Sequence, residues 1–257
     1  MKKISFYLSI FIFFSAASCQ TEDGSIEDVQ TSTPERLSWL KADLNSKFAL
    51  EQKKVTSYLF DVQEIDELVS YKNVDHVRFV LGYANQVIQI NAVGVDSFGN
   101  ELINVSSKIF RNTSYEGELL KLKKAVDRKV TSKTEVSKHI LTYKSSFDYV
   151  KEWEKKLIIG EDIKNSVTYS GILVQYFVLE SAVIKEMIKA KNTAMIALFL
   201  GINKENKMTT VFASLDNKNH LFLTSETSKG AVVEEPVGVI FDFSSPCPPY
   251  NDVVNKI

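Results

Sequence analysis

Two stretches of the chain carry the same order of apolar and polar positions. Residues 60–83 read FDVQEIDELVSYKNVDHVRFVLGY, and residues 179–202 read LESAVIKEMIKAKNTAMIALFLGI. At a constant offset, Ile65, Glu67, Lys72, Asn73, Leu81 and Gly82 meet identical residues at Ile184, Glu186, Lys191, Asn192, Leu200 and Gly201. Apolar class is kept at Phe60/Leu179, Leu68/Met187, Val69/Ile188, Val77/Ile196, Phe79/Leu198, Val80/Phe199 and Tyr83/Ile202. One inserted residue later, Val95-Asp96 meets Leu215-Asp216. A repeat of this span reads as an internal duplication. The alternative is convergent patterning of two similar βαββ segments.

The periodicity within each copy predicts the same elements. A strand comes first, at Val55–Phe60 and at Ile172–Leu179. A helix follows near 62–72 and 181–190, with Ile65, Leu68 and Val69, or Ile184, Met187 and Ile188, on one face. Asp61 with Glu64 three residues on has capping-box character. Lys72-Asn73 and Lys191-Asn192 suit helix C-termini, with a cation in the last turn and Asn just past it. Strands then run through 77–83 and 87–95, and through 196–202 and 208–215. Gly82 and Gly201 interrupt the first of each pair, where glycine marks a bulge or a close backbone approach. Turns around Asp96 and Asp216 lead into Glu101–Val105 and His220–Thr224.

A helix precedes each copy. Thr33-Pro34-Glu35 is a start signal, and Leu37, Leu40, Leu44 and Phe48 give a stripe over 35–48. Phe147, Val150, Trp153 and Leu157 give the second stripe over 147–157. Both read as core packing. The fold class is therefore α+β: internally duplicated strand–helix–strand–strand–strand halves with mostly antiparallel sheet, each preceded by a helix. The halves span 34–112 and 147–257. A mostly helical connector at 113–146 joins them, with Leu119, Leu122 and Val126 as its apolar face. Val237–Phe243 reads as a last strand before a Pro-rich tail.

The N-terminus is patterned differently. Lys2 and Lys3 precede an apolar run from Ile4 to Phe14, then Ser15-Ala16-Ala17-Ser18 and Cys19. The run is too short for a spanning helix, which takes about 20 residues, and has the form of a secretory signal, 1–18. Ala16-Ala17-Ser18-Cys19 resembles the bacterial lipobox, in which the cysteine is lipidated and becomes the first mature residue. Ala16 stands where Leu is usual. The alternative is an ordinary signal peptide with Cys19 free. Several acyl chains at about 0.8 kcal/mol per buried methylene make a stable anchor. Residues 19–33 then form an acidic, aperiodic tether. Cys247 is the only other cysteine, so no intramolecular disulfide can accompany a lipidated Cys19.

Composition adds boundaries. With 44% hydrophobic and 25% charged residues, the chain is neither wholly disordered nor a polytopic membrane protein. Its 31 basic and 32 acidic residues balance, which gives no global pull toward nucleic acid. The local exception is 121–138, where Lys121, Lys123, Lys124, Arg128, Lys129, Lys133 and Lys138 face only Asp127 and Glu135. That run could meet anionic headgroups, but a solvated helix face explains it as well. No aromatic interleaving supports nucleic acid.

The strand and turn VRFVLGY…VIQINAVGVDSFGNEL and the terminal DFSSPCPPY resemble a family of exported Bacteroidota-type lipoproteins. Its members show an R-hydrophobic-Y-x-G strand, a VGVD-x-x-GN turn and a terminal PCPPxC. The resemblance covers about a third of the chain, and it implies a location without a chemistry. Asn251 stands where the family has a second tail cysteine, so a CPPxC disulfide or metal site is lost. Gln20-Thr21-Glu22-Asp23 also looks like the acidic signal that sends such lipoproteins to the surface.

Catalytic signals are missing. His76, His139 and His220 have no zinc-ligand spacing around them and read as surface or edge residues. No G-x-S-x-G elbow, P-loop or G-x-G-x-x-G is present. Asp96 and Asp216 recur at matching turns and could ligate calcium with neighbouring Asn, but the turns offer too few oxygens, and Asx-turn chemistry is the better reading. We therefore expect no catalytic residues, metal or cofactor. The expected function is a non-catalytic binding or interaction module, anchored through Cys19 to the outer membrane at its periplasmic face or the cell surface. An envelope protein or glycan would be the partner, and exposed aromatics near Tyr169, Tyr176 or Tyr250 would favour a glycan. An envelope hydrolase with a non-motif active site, or an immunity or structural lipoprotein, are the alternatives.

Overall fold

The computed structural model describes residues 33–125, 139–160, 162–169, 171–189, 192–222 and 245–247. Cys19, the signal and tether segments, the central basic run, Val237–Phe243 and Tyr250 lie outside these.

The described chain is α+β, with mixed helices and antiparallel sheets. It opens with α1 (Pro34–Leu40) and α2 (Ser46–Gln52), where a single helix over 35–48 was expected. The physical reason is Asn45, whose side chain accepts from the backbone N–H groups of Lys47 and Phe48 and starts a new helix. The break also rotates the stripe. Trp39 is fully buried, whereas Leu40 is exposed. Thr33 caps α1, with Pro34 and Glu35 in its first turn.

The first copy continues as β1 (Ser57–Asp61), α3 (Val62–Ser70), β2 (His76–Ala84), β3 (Val87–Val95), β4 (Glu101–Ser106) and β5 (Lys108–Phe110). Then come α4 (Glu116–Lys124), α5 (Tyr143–Ile159) and α6 (Ile163–Ser166). Of the helical connector, the described part is α4 and the first turn of α5, which starts inside 113–146. The strand expected over 172–179 is broken. Ile172–Leu173 (β7) turns back on Thr168–Tyr169 (β6), and only Tyr176–Glu180 (β8) joins a large sheet. The second copy proceeds through α7 (Ser181–Ile188), β9 (Met195–Ile202) and β10 (Met208–Leu215). Of the expected strand at His220–Thr224, the described residues contain one bridge, Leu215 to Leu221. The tail contributes β11 (Ser245–Cys247).

Sheet order shows how the two similarly patterned segments combine. One sheet runs β10-β9-β1-β5 and the other β11-β8-β2-β3-β4. The first strand of each copy thus pairs with the second strand of the other. Phe60 sits opposite Ile196 and Asp61 opposite Met195, while Leu179 sits opposite Val77 and Glu180 opposite His76. These pairings use positions that correspond at the constant offset between the two segments. The edges match too: β5 places Phe110 opposite Ser57, and β11 places Cys247 opposite Tyr176. Pro246, lacking an N–H, suits such an edge. Helices α3 and α7 each carry the chain from one sheet to the other and touch each other.

The two sheets pack face to face over aromatic residues. The Phe79 ring lies 4.8 Å from Phe212 and 5.7 Å from Phe60, which makes an edge contact. Trp39, Tyr58, Phe177, Ile65, Leu68, Ile184 and Met187 belong to the same core. On the outer face of the first sheet, Phe147 and Val150 of α5 and Leu119 and Leu122 of α4 cover Phe199 and Val211. No described helix is long and apolar enough to cross a membrane.

Candidate functional site

The two recurrent glycines admit helices. A Cβ at Gly82 would lie 2.9 Å from Glu35 Cβ and 3.4 Å from its carbonyl carbon. At Gly201 it would lie 3.1 Å from Tyr149 Cβ and 3.3 Å from the Tyr149 carbonyl carbon. So α1 crosses β2, and α5 crosses β9, at backbone contact. Pairing runs unbroken through both glycines, so neither is a bulge. The register shift falls between Gly94 and Val95.

Asp96 and Asp216 build matching turns. Asp96 Oδ1 accepts from the Phe98 and Asn100 backbone N–H groups, both at 2.9 Å. Asp216 Oδ1 accepts from those of Lys218 and His220, both at 2.8 Å. Hydrogen bonds from the Asn100 side chain and then from backbone N–H groups hold the Asp96 carboxyl below its ordinary value. At Asp216, desolvation pushes up, but the backbone N–H of His220, that of Lys218 and the His220 ring together outweigh it. The oxygens are committed to donors within their own loops. Among the described residues, no three His, Cys, Asp or Glu side chains cluster to hold a metal ion.

The histidines are scattered. His76 Nδ1 lies 2.9 Å from Asp75 Oδ2, and His220 Nδ1 lies 3.2 Å from Asp216 Oδ2. His139 differs from the surface reading, because its Nδ1 is buried without a hydrogen-bond partner. Of the aromatics whose exposure would favour a glycan, the two described ones are buried. Tyr169 is buried and donates to the Met208 carbonyl at 2.8 Å. Tyr176 is buried under the Arg78 guanidinium, 4.9 Å from the ring centroid.

The structure instead points to a cleft of 530 Å³. Its walls are the end of α1, the loop into α2, the start of α2 and the β2–β3 turn. Lys41 and Asp43 stand on the loop, Lys47 on α2, Tyr83 at the end of β2 and Gln86 in the turn. Half-buried Tyr83 rests against buried Phe48, with ring centroids 6.0 Å apart and planes tilted by 42°. Burial, and then the nearby Asp43 carboxylate, push the Tyr83 hydroxyl above its ordinary value. Asp43 also accepts from the Asn45 amide at 2.7 Å.

A second cleft of 430 Å³ lies beyond the end of α5, lined by Asp162, Lys164, Asn165 and Thr168 among others. Three of its polar residues, Asp162, Asn165 and Thr168, are engaged within the fold. Lys207, from the β9–β10 turn, donates to the Asn165 and Thr168 carbonyls at 2.7 Å each. Asp162 meets Lys156 at 3.6 Å and the Asn206 amide at 3.5 Å. Sequence reasoning missed the first cleft because its members are spread over 37–86 and match no motif. The one legible signal was Tyr83 standing where the other copy has Ile202.

No protein-family model, curated protein or solved structure matches the chain.

Proposed function

We propose that the chain is a lipid-anchored binding module of the bacterial envelope, built by duplication of a βαββ unit, that holds a partner without turning it over. The observation that carries the binding reading is the cleft between the α1–α2 loop and the β2–β3 turn. Its volume lies in the range of ligand sites, about 300–1,000 Å³, and it joins an aromatic floor to convergent polar groups. The anchor reading rests on the run from Lys2 to Cys19 and the resemblance to exported lipoproteins. Pro34, the first residue of α1, is a short step along the chain from Cys19. A flexible arm of that length has a reach of about 20 Å. Tethering so close raises the effective concentration of anything else on the same membrane.

Labelling cells with a fatty-acid analogue tests the anchor. Wild type should take up label and Cys19→Ala should not; an unlabelled wild type ends the lipoprotein reading. Separating membranes and digesting intact cells with protease then assigns the outer membrane and its face. For the binding reading, the purified protein should show no turnover on esters, peptides, glycans or phosphates. Hydrolysis abolished by one His or carboxylate substitution would put the envelope-hydrolase reading first.

A further inference from the structure

We propose that the cleft at the α1–α2 loop binds an acidic saccharide, a pyranose chain bearing carboxylates. This deepens the binding reading above and rests on it. Lys41 and Lys47 are exposed at the cleft and make no ion pair with any described residue. The Gln86 amide and the Tyr83 hydroxyl likewise make no hydrogen bond within the described chain, so four polar groups converge on one space without serving the fold.

The chemistry of the lining selects the class. Half-buried Tyr83, in contact with Phe48 in the same cleft wall, supplies an aromatic ring, a surface that suits the C–H face of a pyranose. Asp43, Gln86 and the Tyr83 hydroxyl can accept from or donate to ring hydroxyls. Two lysines against one aspartate leave the lining net positive, so carboxylates on the sugar are favoured over a neutral glycan. The end of the β2–β3 hairpin at this cleft lies beyond the register with β8, which stops at Val80, and outside the register with β4, which starts at Asn91. A strand edge could there serve an extended peptide, and the aromatic ring and the net positive lining are what favour the acidic saccharide.

The turn carries a further sign of use. Asn85 and Gln86 both have left-handed backbone, with φ of 52° and 65°. Asn-Gly is the preferred pair for such a turn. Glutamine at the second position is strained there, and what it adds over glycine is an amide at the cleft mouth. Gln86→Gly should therefore fold at least as well as wild type and bind less well.

The test is calorimetric titration of the full chain, purified in detergent, with an oligogalacturonate and with its carboxyl-reduced, neutral counterpart. Wild type should bind the acidic oligomer and bind the neutral one at least tenfold more weakly. Lys41→Gln with Lys47→Gln should lose tenfold or more for the acidic oligomer, in line with loss of charge-assisted contacts. Gln86→Gly should lose affinity with an unchanged or raised melting temperature. Tyr83→Phe should keep most of the affinity and Tyr83→Ala should lose it.

Two further arms separate sources of the same chemistry. Binding to the soluble oligomer identifies a free polysaccharide, and binding only to vesicles carrying uronate-headed glycolipid identifies a lipid-linked one. Adsorption to phosphatidylglycerol vesicles with no saccharide selectivity would overturn the proposal. So would wild-type failure on both saccharide forms, or unchanged affinity in the double lysine variant. Capture of an envelope protein by a chain that ignores the saccharides would sink the cleft assignment and leave the binding reading standing. Turnover of the oligomer would sink the non-catalytic reading itself.

Discussion

At Gly82 a methyl group has no room. Its Cβ would meet Glu35 Cβ at 2.9 Å and must move α1. Gly82→Ala should cost about 1 kcal/mol and Gly82→Val about 1–3 kcal/mol, the range for overpacked sites. Gly201→Val should do the same through Tyr149. Thermal melts check this, and variants that melt with wild type would show that the helices can lift without loss. The Asp216 turn gives a pH prediction. Its carboxyl is held below its ordinary value in the folded chain. It therefore adds stability above the unfolded value of about 3.9, and that stability is lost as pH falls through the lower folded value. Asp216→Asn keeps an acceptor for the Lys218 and His220 N–H groups but cannot titrate. Its melting temperature should vary less than that of wild type between neutral and strongly acid pH. Equal acid sensitivity would assign the effect elsewhere. These residues were legible because they recur, but the choice between bulge and close approach at the glycines was not. It depends on which helix crosses the strand, and no local pattern encodes that.

Between elements, the main surprise is how α1 is held. Trp39 is fully buried and its indole Nε1 donates to the Val174 carbonyl at 2.6 Å. That bond ties the first helix to the stretch between β7 and β8. The 3.6-residue pattern places Leu37 and Leu40 in the core because it treats the stretch to Phe48 as one uninterrupted helix. Once Asn45 starts α2, the rows shift and Trp39 faces inward. Gln52 was also invisible, since a glutamine near a helix end reads as solvated. It is buried, accepts from the Ile88 N–H at 2.9 Å and donates to the Tyr58 hydroxyl at 3.0 Å. By contrast the α5 stripe of Phe147, Val150, Trp153 and Leu157 is buried throughout, as its unbroken 17-residue helix allows. Gln52→Leu should cost about 1–3 kcal/mol, because it strands a buried N–H that had a partner. Trp39→Phe should cost a similar amount for the Val174 carbonyl. Denaturant titration measures both, and a neutral Gln52→Leu would mean that water or another group replaces the amide.

Across the whole molecule, the exchange of first strands decides how the chain unfolds. Strand β1 reaches β9 and β8 reaches β2, so each large sheet contains strands from both copies. The core is shared in the same way. Phe79 of the first copy touches Phe212 of the second, and α3 touches α7. A chain of two independent halves would pair each β1-like strand within its own copy and could lose one half at a time. Here neither copy retains a complete sheet if the other opens. The described domain should therefore unfold in one transition, with calorimetric and van't Hoff enthalpies that agree. Phe60→Leu and Phe177→Leu sit in the exchanged strands of opposite copies, and both side chains are fully buried. Each should cost about 1 kcal/mol and lower the same single transition by about 2–4 °C, the shift for a domain of this size. Neither should create a shoulder. Two resolved transitions, each moved by only one of the substitutions, would show that the copies are separate folding units despite their shared sheets.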